Sequence, residues 1–232
     1  LGIDATAFPT MRASFYAFNA QGDQQRPTVS ELSITENGQP RTITGVNCPP
    51  PASPNAISSV LVIDVSGSMI YGFGGNPHIN LAKAAARTWV NGLPLGTSEC
   101  AVASFDGANY LNQDFTTDLV KLQTAIDGLM PMGGTDYDVA LIQPAAGGLL
   151  VSRNGKHRRV IVMLTDGQPN SDPNVAAIVS EAQQQACAIY CVTLGMYAPQ
   201  SLRDISAQTG GMVFQNVTTL AQIETIYRQI LL

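Results

Sequence analysis

Charged side chains are scarce in this sequence of 232 residues: Asp, Glu, Lys and Arg together make up 12%, against about 25% in an average soluble protein. The surface must therefore be rich in Ser, Thr, Asn and Gln, a composition that fits an extracellular protein. A net charge of −5 argues against a nucleic-acid-binding surface and against electrostatic attachment to anionic membranes. No apolar run reaches the roughly 18 residues that a membrane-spanning helix needs.

Histidine and cysteine are also few, with two of the first and four of the second. No Cys-x-x-Cys pair is present, so a zinc site is not expected. Cys191 lies inside an apolar run, which predicts a buried, inert thiol. Cys48 precedes the first strand of the main domain and Cys100 opens the next. A disulfide between these two is therefore expected in an oxidising compartment, with two free thiols as the alternative.

The first fifty residues have a different pattern from the rest. Short β-strand patterns occur at 12–18, 29–36 and 41–46. Asn37-Gly38, between the last two, is a strong hairpin signal. Three or four strands are too few for an immunoglobulin-like sandwich, which needs about seven. We therefore predict a small, partial immunoglobulin-like β-module over residues 1–47, followed by a stiff proline-rich linker over 48–56.

After the linker, strand patterns alternate with helix patterns. This alternation predicts an α/β fold, a doubly wound and mostly parallel sheet with helices on both faces. Residues 110–115 follow an Asp-Gly turn and predict one antiparallel edge strand. A helix is expected over 135–146, with an interruption at Pro144, and Thr219-x-x-Gln222 is a capping box that predicts the start of a last helix.

The most informative stretch is Asp64-Val-Ser66-Gly-Ser68, which comes at the end of the first apolar strand of the main domain. A carboxylate and two hydroxyls leave the strand at alternate positions, and a turn can curl them around one point. Oxygen ligands of this kind suit a hard cation such as Mg²⁺. Two later segments strengthen the pattern, because Thr135 follows a Gly-Gly pair and Asp166 ends a second buried-strand pattern. Each residue taken alone has a structural alternative as a turn or capping residue.

Together these segments resemble the von Willebrand factor type A domain, the inserted domain of integrins and its bacterial relatives. That family carries a metal-ion-dependent adhesion site, written Asp-x-Ser-x-Ser with a distant Thr and a distant Asp, and all five positions are matched. The resemblance covers residues 57–232. The N-terminal segment resembles the partial β-module that precedes such domains in some bacterial surface proteins.

The resemblance implies a site for Mg²⁺, Mn²⁺ or Ca²⁺ at Asp64, Ser66, Ser68, Thr135 and Asp166. It implies direct contact for Ser66 and Ser68, with Thr135 close by. Asp64 and Asp166 would act directly or through water. Because few carboxylates reach the cation, an open coordination position is expected to attract an acidic side chain of a protein partner.

Further residues are expected at the rim of this site. Asp106 ends a strand at the same edge of the sheet, and Asp136, beside Thr135, either caps a loop or tunes the cation and partner. Residues 71–78 are glycine-rich but lack a phosphate-binding spacing, so a flexible loop at the binding face is predicted. Within it, Tyr71 and Phe73 are candidate partner contacts.

These features predict a non-enzymatic, cation-dependent adhesion module, secreted or at a bacterial cell surface. An intracellular (cytoplasmic) scaffold is the main alternative, because related domains also serve intracellular assemblies. A metal-dependent hydrolase using Asp64 and Asp166 is disfavoured, because no general base or third carboxylate is evident. His78 has no matched Ser–Asp pairing visible in the sequence, and Ser66 is not in a Gly-x-Ser-x-Gly elbow.

Overall fold

The structure is a computed structural model that describes residues 2–4, 6, 8–15, 17, 25–46 and 56–231. The chain divides into two compact units, Leu1–Ser53 and Pro54–Leu232. Most of the predicted proline-rich linker lies outside the described residues, and the assignment of residues 1–47 to a partial immunoglobulin-like module stays a prediction.

The first unit contains two short antiparallel pairs. Strand β1 (Gly2–Asp4) pairs with β2 (Arg12–Ser14), and β3 (Ile34–Glu36) pairs with β4 (Gln39–Arg41). Asn37 and Gly38 connect β3 to β4 with φ angles of 52° and 77°, which a two-residue turn of this hairpin requires. The predicted Asn-Gly hairpin is therefore present.

Both strands of this hairpin are shorter than predicted. Residues 29–31 form a 3₁₀ turn instead of extending the strand, because Thr28 and Glu31 form a capping box in which the Thr28 N–H donates to Glu31 Oε2 at 2.8 Å. The return strand ends at Arg41, whereas the sequence pattern suggested an extended segment over 41–46.

The second unit is an α/β domain. Its elements are β5 (Ile57–Asp64), β6 (Gly72–Phe73), β7 (Asn76–Pro77), α1 (His78–Gly92), β8 (Glu99–Phe105), β9 (Asn109–Thr116), α2 (Leu119–Asp127), α3 (Tyr137–Leu141), α4 (Gly148–Ser152), β10 (Arg158–Thr165), α5 (Val175–Gln184), β11 (Ala188–Leu194), α6 (Gln200–Thr209), β12 (Val213–Val217) and α7 (Leu220–Leu231). Six strands form one sheet in the order β12–β11–β10–β5–β8–β9. All neighbours run parallel except β9, the antiparallel edge strand beside β8, so the predicted fold class is confirmed.

Helices cover the sheet on both faces, and the central strand β5 shows why. Every residue of β5 is buried. Successive side chains point to opposite faces, so Leu61 and Ile63 pack in the apolar cluster that includes α1, α2 and α7. Val60 and Val62 pack in the second cluster, which includes α3, α4, α5 and α6. Each fully buried aliphatic side chain of this size contributes about 1.5–3 kcal/mol to the free energy of unfolding.

The helix predicted over 135–146 with an interruption at Pro144 is two short helices, α3 and α4, and Pro144 lies between them. The break is held by Asn109 at the start of β9. Its Nδ2 donates to the carbonyls of Val139 at 2.7 Å and Gln143 at 2.9 Å, and its Oδ1 accepts from the Ala146 N–H at 2.9 Å. This distant side chain satisfies backbone groups that a continuous helix would pair internally.

The last helix begins as predicted. The Thr219 N–H donates to Gln222 Oε1 at 3.0 Å, and the Gln222 N–H donates back to Thr219 Oγ1 at 3.4 Å. Among the described residues, no helix combines the length and apolar character needed to cross a membrane.

The predicted Cys48–Cys100 disulfide finds no support. Cys48 lies outside the described residues, and Cys100 is a fully buried free thiol in the described part of the chain. Cys191 is also a fully buried free thiol, and burial raises the pKa of both thiols to about 12. Thiols with such a high pKa stay protonated at neutral pH and are unreactive.

Candidate metal site

Three neighbouring strands end side by side at the carboxyl edge of the sheet. Asp64 is the last residue of β5, Asp106 follows β8, and Asp166 follows β10. The three strands run parallel with β5 in the middle, so their carboxyl ends lie at the same edge. Ligands of open α/β sheets bind at this edge.

Four of the five predicted ligands form one hydrogen-bonded run. The Ser66 N–H donates to Asp64 Oδ1 at 2.7 Å. Ser66 Oγ lies 3.0 Å from Ser68 Oγ, and Ser68 Oγ donates to Asp166 Oδ1 at 2.6 Å. The turn after β5 is a 3₁₀ helix over Gly67–Ile70, fixed by the fully buried Met69 side chain. The turn thus faces its hydroxyls toward the end of β10.

Thr135, the fifth predicted residue, lies beside this run. A Cβ atom placed on Gly167 would lie 3.1 Å from Thr135 Oγ1 and 3.5 Å from Ser68 Oγ, so both hydroxyls border the same small space. Asn170 fixes the backbone of Thr135, accepting from its N–H at 2.6 Å and donating to its carbonyl at 2.8 Å. The structure therefore brings all five predicted residues to one place.

Asp64 is fully buried, and its two oxygens already accept protein hydrogen bonds. Oδ1 accepts from the Ser66 N–H, and Oδ2 accepts from Thr165 Oγ1 at 2.5 Å. Burial raises the pKa of Asp64 to about 6; the hydrogen bonds from Ser66 and Thr165 oppose this shift, and the neighbouring charge of Asp166 adds to it. A buried carboxylate with a raised pKa is a common feature of functional sites.

His78 is a member of the site that the sequence did not reveal. Its Nδ1 lies 2.7 Å from Asp166 Oδ2, and the exposed fractions of the two side chains are 14% and 2%. His78 is the first residue of α1, and the two residues are 88 positions apart. No local pattern around either residue signals this pairing.

The two acidic residues predicted at the rim have structural partners. Asp106 is 5% exposed, and its Oδ1 accepts from the Ala108 N–H at 2.7 Å, while Oδ2 packs against Gly133. Asp106 is therefore buried at the same edge of the sheet, and its role at the rim stays a prediction. Asp136 caps α3, since its Oδ1 accepts from the N–H groups of Asp138 at 2.9 Å and Val139 at 3.1 Å. Of the two roles considered for Asp136, the structure shows capping.

Residues 71–78, predicted to be a flexible loop, contain a short antiparallel hairpin made of β6 and β7. Gly72 is required there, because a Cβ atom at this position would lie 1.9 Å from the Asn76 carbonyl oxygen. The His78 N–H donates to the Tyr71 carbonyl at 2.7 Å, so the hairpin sets the first residue of α1. Tyr71 is 70% exposed, as expected of a rim residue, and the side chain of Phe73 lies outside the described part of the structure.

Exposed apolar side chains lie in two loops next to the predicted ligands, and we call Ile70, Tyr71, Met130 and Met132 the apolar rim. Met130 and Met132 are 74% and 59% exposed, and Ile70 is 53% exposed. Their two loops are adjacent, because the Gly67 N–H donates to the Gly133 carbonyl at 3.0 Å. Tyr71 was predicted from the sequence, whereas Met130 and Met132 were not.

The donor set fits a hard cation. Within the described ranges, no group of three or more His, Cys, Asp or Glu side chains is arranged to hold a metal. A cation at this edge would therefore depend on the hydroxyls of Ser66, Ser68 and Thr135 together with the carboxylates. Such neutral and anionic oxygens suit Mg²⁺, Mn²⁺ or Ca²⁺ rather than a thiophilic metal.

The fold agrees with a comparison against protein families. The profile of the von Willebrand factor type A domain matches residues 60–229, and the chain belongs to this family. No curated protein matches the sequence.

Solved structures share the fold at low sequence identity. The von Willebrand factor type A protein from Catenulispora acidiphila is 20% identical, with a TM-score of 0.61 over 76% of this chain and 42% of that one. The von Willebrand factor domain of Mfa5, the type V pili tip protein of Porphyromonas gingivalis, is 15% identical, with a TM-score of 0.57 over 77% and 96%. The PilB minor pilin of Streptococcus sanguinis is 14% identical, with a TM-score of 0.59 over 78% and 62%.

Proposed function

We propose that residues 57–232 form a divalent-cation-dependent protein-binding module that captures an acidic side chain of a partner protein. The observation that carries the proposal is the hydrogen-bonded run from Asp64 through the two serines to Asp166, with the Thr135 hydroxyl beside it. A Mg²⁺, Mn²⁺ or Ca²⁺ bound there supplies positive charge that the few nearby carboxylates do not fully neutralise.

The residues of the site have different roles. Ser66, Ser68 and Thr135 offer neutral oxygens to the cation. Asp64 holds the turn through the Ser66 N–H, and Asp166 holds the Ser68 hydroxyl. The carboxylates thereby place the hydroxyls as well as contributing negative charge.

The apolar rim supports a protein as the partner. Flexible, polarizable methionine side chains adapt to different apolar surfaces and are common at binding faces. Met130 and Met132 are largely exposed in the loop next to the predicted ligands. A partner that places an acidic side chain at the cation would cover this rim with the residues flanking the acid.

An adhesive role at a cell surface or in a secreted assembly fits several observations together. The fold is shared with a pilus tip protein and a minor pilin, and the chain has an unusually low content of charged residues. The expectation of a non-enzymatic role is supported by the order of contacts at Asp166. In a Ser–His–Asp triad the histidine lies between the other two. Here the carboxylate is the middle group, between Ser68 and His78.

Cation titration tests the site directly. We expect calorimetry with Mg²⁺ and Mn²⁺ to show one site in the wild type, and Asp64→Ala to abolish it while the fold survives. Asp114→Asn, an exposed carboxylate on β9, is the matched control and should leave the affinity unchanged. An unchanged cation affinity in Asp64→Ala would contradict the assignment of this site to the cation.

Partner binding gives a separate test of the mechanism. Chelator, Thr135→Ala and Ser68→Ala should each abolish binding of the partner, whereas Arg158→Ala at the other end of the sheet should not. A Met130→Ser, Met132→Ser double variant should weaken partner binding but keep the cation, with the exposed Val120→Ser on α2 as control. Undiminished partner binding in chelator would show that another face is used.

A further inference from the structure

The pairing of His78 with Asp166 joins two elements at the candidate site. The distance from His78 Nδ1 to Asp166 Oδ2 is 2.7 Å, and both side chains are largely shielded from water. Because an ionised carboxylate only accepts hydrogen bonds, the imidazole must donate through Nδ1. We therefore assign a proton to Nδ1, the ring nitrogen that faces Asp166.

Asp166 is therefore held by two donors at once. Its Oδ1 accepts from Ser68 Oγ at 2.6 Å, and its Oδ2 accepts from His78. The donors come from different places in the fold, the turn after β5 and the first residue of α1. Two bonds to the two oxygens of one carboxylate fix both the position and the rotation of its plane.

The hairpin before α1 explains why the imidazole stands in this position. The His78 N–H is tied to the Tyr71 carbonyl at 2.7 Å, and the strands β6 and β7 leave no room for a side chain at Gly72. The backbone of His78 is thus placed by local geometry before its side chain meets Asp166. Its side chain is only 14% exposed, so the surrounding protein limits the orientations that the imidazole can adopt.

We propose that His78 is a positioning residue for the cation site: its Nδ1–H holds the Asp166 carboxylate in the orientation that the cation requires, without itself binding the cation. This inference rests on the proposed function, because it presupposes a cation held by the predicted five residues. Hydrogen-bonding partners that orient the ligands of a metal site typically change its affinity about 10-fold to 100-fold when removed.

The test uses the full chain with two substitutions at position 78. His78→Leu fills a similar volume without a donor, and His78→Asn places an amide N–H close to where Nδ1 lies. Calorimetric titration with Mg²⁺ and with Mn²⁺ should show an affinity loss of about 10-fold to 100-fold for His78→Leu and recovery of most of that loss for His78→Asn. His157→Gln, which changes the other histidine at the opposite end of the sheet, should match the wild type.

A second measurement covers the case in which His78→Leu does not fold. In wild-type protein labelled with ¹⁵N-histidine, the Nδ1–H resonance of His78 should shift when Mg²⁺ is added, and the resonances of His157 should not. An unmoved His78 resonance in protein that binds Mg²⁺ would overturn the proposal.

The outcomes separate this inference from the function on which it rests. A wild type that binds neither Mg²⁺ nor Mn²⁺ would contradict both the proposed function and the role of His78. A wild type that binds, with His78→Leu binding equally well or His78→Asn failing to restore affinity, would overturn only the role of His78. An affinity order of wild type, His78→Asn and then His78→Leu supports it.

Discussion

The buried carboxylate of Asp64 should destabilise the cation-free domain at neutral pH. Its pKa is raised from 3.8 to about 6, chiefly by burial. A carboxyl group whose pKa is higher in the folded state favours folding below the unfolded-state pKa, and that contribution is lost as the pH rises through the folded-state pKa. Here the window runs from about pH 3.8 to about pH 6. At about 1.4 kcal/mol per pKa unit, the loss amounts to about 3 kcal/mol at pH 7.

Asp64→Asn removes this charge and keeps most of the hydrogen bonds. The amide oxygen can still accept from the Ser66 N–H. The Thr165 hydroxyl can accept from the new amide N–H and turn its own hydrogen toward the Gly167 carbonyl, which already lies 3.4 Å away. We therefore expect Asp64→Asn to raise the free energy of unfolding in chelator by up to about 3 kcal/mol at pH 7. For a domain of this size the melting temperature should rise by about 6–12 °C.

The assay is thermal unfolding in chelator at several pH values between 4 and 8, followed by the same series in saturating Mg²⁺. The gain of Asp64→Asn should shrink toward pH 4, where the wild-type carboxyl is protonated in the folded state. The stability difference between Asp64→Asn and the wild type should also shrink in Mg²⁺, because only the wild type binds the cation. At 100 times its dissociation constant, the cation stabilises the wild type by about 2.7 kcal/mol.

Asp64→Ala is the matched control for this experiment. It removes the same charge but leaves the buried Ser66 N–H without its acceptor, which costs about 1–3 kcal/mol. Its stability at pH 7 should therefore be lower than that of Asp64→Asn. A pH-independent effect of Asp64→Asn, or a loss of stability in chelator at pH 7, would refute the reasoning.

Three other predictions concern the surroundings of the site. Gly72→Ala should weaken Mg²⁺ binding in calorimetry by distorting the hairpin at Asn76, whereas Gly107→Ala, where a Cβ atom meets nothing within 4 Å, should not. Ile226→Ala should cost about 2–5 kcal/mol in urea unfolding and also change partner affinity, since this buried residue holds α7 on the domain. Burial raises the pKa of Glu99, but the hydrogen bonds from the Lys156 N–H and the Ser58 hydroxyl lower it more, so the net shift is downward. Ionised Glu99 therefore stabilises the fold above pH 4.5. Glu99→Gln should reduce the free energy of unfolding at pH 7, and this reduction should become smaller as the pH falls below 4.5.

The sheet was predictable because its signals are local. Each buried strand is a short apolar run, and the alternation with helices allows few arrangements other than a parallel sheet. The positions of Asp64 and Asp166 at strand ends follow directly. The antiparallel edge strand was also visible, because residues 110–115 follow a turn too short for a crossover helix.

Elements whose ends are fixed by distant side chains were not predictable. Pro144 indicated an interruption between α3 and α4, but the contacts with Asn109, 30 and 34 residues earlier in the chain, were not predictable. The burial of Asp106 depends on close packing with Gly133, which belongs to another loop. In both cases the side chain is an ordinary polar residue in its local sequence, and only the folded sheet shows what it contacts.

The same distinction applies within the candidate site, and it bears on how such sites differ in affinity. The Asp-x-Ser-x-Ser pattern spans five consecutive residues, and a single turn can bring their side-chain oxygens together. The orientation of Asp166 is instead set by Ser68 and His78, over separations of 98 and 88 residues. Two domains with the same five ligand residues can therefore bind a cation with different affinities if they differ at the position of His78. We infer that the ligand pattern selects the kind of cation, and that the contacts of Asp166 with Ser68 and His78 set how firmly it is held.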